Sequence, residues 1–401
     1  MKKARIATYL ANIVEHFDSS LYGFLVPILA PIFFRSDDSV ITLVEAYGIM
    51  MVGFLTRPLG AWYFSKQADK KGPDRVLVTT IMGMTIATFC FTLLRPYEHW
   101  GIFGALSLCI LRGVQNFFGA GETSIAGLYV LEDTETTEQY SVTATYLSSQ
   151  MLGILLACAI SSVIFCCDKP YLYWKWPFYG SLLAGILSWW LRRTSGKHTF
   201  IKKNISKTKM DWRRILRLIP IAGFSYILYS APFVFFNSFA GIVTTIEMKN
   251  LMTSNTALMV FDLGLLMVLG PLMKQTDSKK ILLGTSALAV LAIPFLFWCI
   301  PFAGFLSSIA IRLVIIILGV IFCIPLHRWY IGEFQKNNRY TTIAIGTAIG
   351  SEILGRSFPA VGLGLWHLTH SAVVPGIYIS IIGLLAFFCV GLSGQQVKKH
   401  R

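Results

Sequence analysis

About twelve apolar stretches, from 13–34 near one end to 372–392 near the other, follow one another along this chain with short polar connections between them. A bilayer core about 30 Å thick takes ~20 apolar residues per helical crossing, and most of these stretches reach that length. The runs are continuous and do not alternate every second residue, which predicts helices and not barrel strands. Charged residues are only 14% of the chain and apolar ones 55%, where soluble domains carry about 25% charged residues. The expected fold class is therefore an all-α membrane protein with twelve transmembrane helices. The first stretch holds Glu15 and Asp18 and is too long for a cleavable signal peptide.

The net charge of +15 invites a nucleic-acid reading, but the placement of the charge argues against it. With the N-terminus assigned to the cytoplasm, 25 of the 35 Lys and Arg fall in inner segments and five (Arg35, Arg95, Lys169, Lys175, Lys249) in outer ones. The remaining five, Arg57, Arg112, Arg312, Arg328 and Arg356, lie in or near spans. This is the positive-inside asymmetry of membrane proteins, and it predicts both termini on the cytoplasmic side. The expected partners are the lipid bilayer and a small-molecule substrate, with no nucleic acid.

A four-residue string also recurs. Lys66-Gln67-Ala68-Asp69 is echoed 208 residues on, from position 66 to position 274, by Lys274-Gln275-Thr276-Asp277. Each copy follows the second span of its half, so the chain reads as a duplication. The predicted organisation is an N-terminal six-helix half over 1–191, a basic cytoplasmic linker over 192–217 and a C-terminal six-helix half over 218–401. Few residues lie outside spans, and no GxxxxGK[ST] loop occurs, so direct ATP hydrolysis is not expected. Six of the eight cysteines fall in apolar spans, and no zinc or disulfide spacing appears. No cofactor, no metal and no enzymatic nucleophile–base pair is expected.

Ionisable residues inside spans face a cavity or a partner by default. Glu15, Asp18 and Tyr22 follow i, i+3, i+7 spacing and share one face of the first helix, with His16 beside them. Arg112, Gln115, Gly119 and Glu122 form one stripe of the fourth span. Arg112 either binds a substrate carboxylate through its planar fork or permanently neutralises Glu15, Asp18 or Glu122. Glu352 and Arg356, four apart in the eleventh span, predict a local ion pair. Asp262 and Arg312 are isolated in sequence and must find partners elsewhere. His327 and His370 fall near span ends and read as interfacial.

These residues resemble the metabolite:proton symporter branch of the major facilitator superfamily, which includes permeases for proline/betaine, α-ketoglutarate, citrate and shikimate. The resemblance is carried by Asn12, Glu15, Asp18, Tyr22 and Gly23, then Arg57-Pro58-Leu59-Gly60, then Asp69 and Gly72 in the loop after the second span. Arg112, Gln115, Gly119, Gly121 and Glu122 follow, and last Gly332-Glu333-Phe334 with Arg339-Tyr340-Thr341. Five matches in order are specific where one would be weak. Departures stand beside them: Ser65 replaces the first glycine of the loop signature, and Pro73-Asp74 replace two basic residues. His16 and Ser19 replace aromatic residues, and 132–138 lacks the family's usual arginine.

The resemblance implies two six-helix bundles of the major facilitator fold working by alternating access, as a monomer, in a bacterial cytoplasmic membrane. It implies proton-coupled symport of a small polar metabolite, either an organic acid such as a dicarboxylate or a zwitterionic osmolyte such as proline or betaine. The alternative is a proton-independent exchanger or facilitator. Glu15, Asp18 and Glu122 are the proton-coupling candidates. Arg57, Arg112, Gln115, Tyr22 and Asn12 are the substrate-binding candidates, and Asp69, Gly72, Asp277, Glu333 and Arg339 the gating ones.

Overall fold

Twelve long helical segments follow one another in the computed structural model, which describes residues 2–34, 49–132, 134–194, 211–274, 276–334 and 339–392. Residues 195–210 of the predicted linker, Gln275 of the second repeated string and Asp133 lie outside the described residues. The segments are α1 (Lys2–Phe33), α2 (Gly53–Lys71), α3 (Pro73–Thr92), α4 (Ile102–Glu132), α5 (Gln139–Phe165) and α6 (Trp176–Thr194). Then come α7 (Trp212–Ser230, a π-helical turn Ala231–Phe235, and Phe236–Val243), α8 (Met248–Leu272), α9 (Ser278–Cys299) and α10 (Phe305–Glu333). The last two are α11 (Arg339–Ile349, a π-helical turn Gly350–Arg356, and Phe358–Thr369) and α12 (Val373–Gly391). Among the described residues, nine of these segments are long and apolar enough by themselves to cross a membrane. The other three have visible reasons: α2 ends in the polar Lys66–Lys71 string, α6 is short and rich in Trp and Tyr, and α11 is broken by its π turn.

The chain divides into two compact units, Met1–Val130 with Ser148–Ser206, and Leu131–Leu147 with Lys207–Arg401. In the first, α6 packs on α1 and on α3; in the second, α12 packs on α7 and on α9. The two units thus repeat one internal plan, as expected of a duplicated chain. The first unit's core gathers Leu21, Leu25, Leu29 and Phe33 of α1 with Phe91 and Phe178. Trp174 meets Phe33 edge-on at 5.6 Å and Phe91 at 6.1 Å.

Close helix approach in each unit depends on a missing side chain. A Cβ on Gly153 of α5 would strike the Ile13 carbonyl of α1, and one on Gly350 of α11 would strike the Ile219 carbonyl of α7. Small residues at such contacts let backbones meet where lipid supplies no hydrophobic drive between helices.

The two repeated strings fold differently. The first stays helical to the end of α2, and Gly72 alone makes the turn, at φ 92°, with its N–H on the Ala68 carbonyl. Pro73 then opens α3 in the position where its missing N–H costs nothing, and Asp74 sits in the first turn. The second string lies between helices: α8 ends at Leu272, and Asp277 caps α9 by accepting from the Lys279 N–H at 2.9 Å.

Candidate functional site

The polar stripe of α1 is buried in the first unit, with Asn12, Glu15 and Asp18 at 0%, 1% and 4% exposure. Nothing in an apolar helix tolerates this unless neighbours answer each group. They do so from four helices. Asn12 donates to Ser149 Oγ of α5 at 2.8 Å. Glu15 Oε1 lies 3.4 Å from Arg57 Nη2 of α2, and Arg57 Nη1 reaches Asn116 Oδ1 of α4 at 3.5 Å. These are long contacts, so the charges face one another without a tight clasp. His16 Nδ1 is 2.7 Å from the other Glu15 oxygen, while the Asn12 carbonyl lies 3.0 Å from the same nitrogen. Both neighbours are acceptors, so Nδ1 carries the ring hydrogen.

Asp18 closes a second network. Thr88 of α3 donates to Asp18 Oδ2 at 2.8 Å and accepts from Gln115 Nε2 at 3.0 Å. Gln115 Oε1 in turn accepts from Arg112 Nη1 at 3.0 Å. Arg112 also donates to the Asp18 and Ser19 carbonyls at 3.4 and 3.3 Å, and its guanidinium lies 4.6 Å from the centre of the Tyr22 ring. An arginine, an amide, a hydroxyl and a carboxyl thus form one hydrogen-bonded chain. Glu15, Asp18, Ser19, Arg57, Met84, Arg112, Gln115 and Asn116 line a cavity of about 10 Å³. That is near the minimum for one water molecule, so a metabolite enters only after these helices part.

Glu122 sits elsewhere. Its carboxylate is fully buried and held in a two-pronged pair by Arg192 at the end of α6, at 2.5 and 2.7 Å. Thr80 donates to it at 3.1 Å, and Arg192 also donates to the Leu77 carbonyl at 2.8 Å. This clasp ties α3, α4 and α6 together and brings Glu122 to neither Asp18 nor Arg112. Tyr129 of α4 donates to Asp74 Oδ1 at 2.5 Å, giving a partner to the acid that stands where the family pattern has a base.

The remaining candidates lie apart from the cavity. Asp69 is half-buried in the last turns of α2, while Asp277 is an exposed helix cap. Arg339 turns back onto the end of α10, donating to the Phe334 and Ile331 carbonyls at 3.0 Å each. Glu333 ends that helix. Glu352 and Arg356 form the expected local pair at 3.1 Å, inside the π turn of α11. Arg312, fully buried, finds neutral acceptors: the Pro232 carbonyl at 2.9 Å, the Leu251 carbonyl at 3.4 Å, Ser254 at 3.0 Å, and Asn255. His327 is partly buried between rings and not at an open interface, with Tyr146 and Tyr330 edge-on to it at 5.8 and 6.0 Å.

In the second unit, the first turns of α5 rest on the second repeated string. Tyr140 donates to the Thr276 carbonyl at 2.8 Å, lies 2.9 Å from Ser278 Oγ, and has the Arg328 guanidinium 4.6 Å over its ring. Thr88, Asn116, Ser149, Arg192 and Tyr140 were not singled out in the sequence. Threonine and serine in spans are common and carry no charge signal, and Arg192 looks like ordinary positive-inside charge at a span end.

Residues 8–351 match the family model of the Major Facilitator Superfamily. The chain belongs to the major facilitator superfamily. The proline/betaine transporter of Escherichia coli (strain K12) is 24% identical over 429 residues, covering 100% of this chain and 84% of that protein. A putative proline/betaine transporter of Staphylococcus aureus (strain MSSA476) is 25% identical over 428 residues, covering 99% and 90%. The glycine betaine/proline/ectoine/pipecolic acid transporter OusA of Dickeya dadantii (strain 3937) is 29% identical over 231 residues, covering 57% and 46%. Among solved structures, the proton:xylose symporter XylE superposes with a TM-score of 0.76 at 13% identity, covering 96% of this chain and 94% of that one. The human organic anion transporter MFSD10 does so at 0.74 and 13%, covering 97% and 99%. This major facilitator protein is a multi-pass integral membrane transporter of small molecules and not an enzyme.

Proposed function

We propose that this transporter carries a small zwitterionic osmolyte of the proline or betaine kind into the cell together with protons, by alternating access. The observation that carries the reading is the buried pairing of two carboxyls with two arginines in the first unit, each through contacts loose enough to exchange. Glu15 faces Arg57 at 3.4 Å, and Asp18 meets Arg112 through Thr88 and Gln115. A substrate carboxylate that draws Arg57 or Arg112 to itself leaves the matching protein carboxyl without its cation. That carboxyl then holds a proton more favourably, because an opposite charge nearby is what stabilised its ionised form. Substrate and proton binding become linked through one change of partners.

Under this reading Glu15 and Asp18 are the proton-coupling groups, and Arg57, Arg112, Gln115 and Asn12 receive the substrate's carboxylate end. Tyr22 offers a ring face to a quaternary or secondary ammonium once Arg112 leaves it. Glu122 takes a clasping role with Arg192. Asp69, Gly72 and Arg339 belong to the cytoplasmic gate, with both termini on that side, in a monomer of the bacterial cytoplasmic membrane. The relatives named as proline/betaine transporters favour the zwitterion over a dicarboxylate.

The test is uptake into proteoliposomes under an imposed acid-outside gradient, with labelled proline, betaine and a dicarboxylate in parallel. Accumulation of proline or betaine that collapses with a protonophore is the expected outcome. Counterflow indifferent to the pH gradient would identify an exchanger instead.

A further inference from the structure

The second unit holds a carboxyl that the site above does not use. Asp262 lies midway along α8 at 0% exposure, and neither of its oxygens has a hydrogen-bond partner among the described residues. We propose that Asp262 is a proton-binding carboxyl of the second unit, taking up and releasing H⁺ as α7, α8 and α10 shift past one another during transport.

The surroundings decide what it can hold. The ionisable groups within electrostatic reach of Asp262 are Tyr229 on α7 and Cys323 on α10. The segment Phe236–Val243, which also packs on α8, has no titratable side chain, and α5 meets α8 two turns further along, at Gly270. The nearest arginine along α8 is Arg312, already committed to Leu251, Ser254 and Asn255 about two turns before Asp262. No cation faces the carboxyl. A buried carboxylate without a cation or a donor costs several kcal/mol, whereas a carboxylic acid in the same place lacks only one acceptor. Both oxygens are also closed to a water-sized sphere. A sodium ion or an ammonium group therefore has no room beside them; a proton occupies no such room.

The neighbours are suited to a site with two arrangements. The Tyr229 and Tyr330 hydroxyls are likewise buried without hydrogen-bond partners, and Cys323, within reach of Tyr330 as well as Asp262, makes only a long 4.0 Å contact to the Ser225 carbonyl. Three helices thus point unsatisfied polar groups into one region. A small displacement that lets Tyr229 donate to Asp262, or admits water, stabilises the ionised form; the return displacement expels the charge. The step balances as hydronium and carboxylate giving carboxylic acid and water, with no other reactant. The inference rests on the proton coupling proposed above, but not on the substrate or on the first-unit network.

Purified wild type and Asp262→Asn in proteoliposomes test it. Infrared spectroscopy near neutral pH is expected to show a protonated-carboxyl C=O band in the wild type that Asp262→Asn removes. This readout needs no substrate, so it remains decisive even if the proposed substrates fail. With a transported substrate, Asn should keep counterflow, because it mimics the protonated acid. Under a two-unit pH gradient it should lose about 100-fold in maximal accumulation, at ~1.36 kcal/mol per unit for one coupled proton. A band unchanged by the substitution, undiminished accumulation, or loss of counterflow along with accumulation in a monodisperse protein would each overturn the proposal. Should Asp262→Asn not fold, Asp262→Glu carries the test, with the band retained at a shifted frequency; an unshifted band would overturn it.

Discussion

Replacing Arg192 with Met should be among the most damaging single changes outside the cavity. The substitution removes three charge-assisted or carbonyl contacts, at 2.5, 2.7 and 2.8 Å, and leaves the Glu122 carboxylate buried with Thr80 as its remaining donor. Breaking a buried pair by removing one partner costs about 3–5 kcal/mol, because the other charge is stranded. At roughly 2–4 °C per kcal/mol for a unit of this size, the melting temperature should fall by roughly 6–20 °C. Removing both charges together, as Arg192→Met with Glu122→Met, strands nothing, and apolar replacement of a whole buried pair is often close to neutral. The double variant should therefore recover more than half of the loss. Melting of detergent-purified protein, followed by intrinsic fluorescence, measures both. A single variant within about 2 °C of wild type, or a double variant no better than the single one, would refute the clasp.

Two further substitutions test the cavity and the repeated strings. Thr88→Ala removes the hydroxyl that bridges Gln115 and Asp18; with a hydrogen bond to a charged group contributing about 1.5–3 kcal/mol, uptake should drop by roughly tenfold or more, and Thr88→Ser should restore most of it. Asp277→Asn should leave uptake and stability near wild type, since asparagine caps a helix about as well as aspartate, while Asp69→Asn should impair uptake. Equal uptake by both variants and wild type would remove Asp69 from the gate.

The helical ladder is legible in the sequence because spanning a membrane demands length and apolarity within a single segment, and both can be counted. The α1 stripe is legible for a related reason: a carboxyl in such a segment is costly wherever the helix ends up. What pairs with it is another matter. Glu122 shares helical spacing with Arg112 and Gln115, yet its partner comes from the far end of α6, because partner choice depends on how helices cross. The repeated string shows the limit most plainly. Four matching letters place Asp69 inside a helix and Asp277 ahead of one, since Gly72 and Pro73 turn the first copy in a single residue while the second copy has neither. Arg312 and Asp262 both lack a charged neighbour in sequence, and packing gave neutral acceptors to one and no hydrogen-bond partner to the other.

The two π-helical turns, Ala231–Phe235 and Gly350–Arg356, have a consequence for how this chain can change length. A π turn is an α-helix with a residue to spare, and each residue of an α-helix subtends about 100°. Deleting one residue from 231–235 would let α7 close into regular α form and swing everything beyond it by about that angle. Phe239, now stacked on Phe235 at 4.9 Å and Phe297 at 6.3 Å, would leave its neighbours, and the Pro232 carbonyl would move from Arg312. At these two places the spans specify residue count as strictly as residue type. A frameshift-neutral deletion there should act as a lesion, although the same deletion in an exposed connection would pass unnoticed.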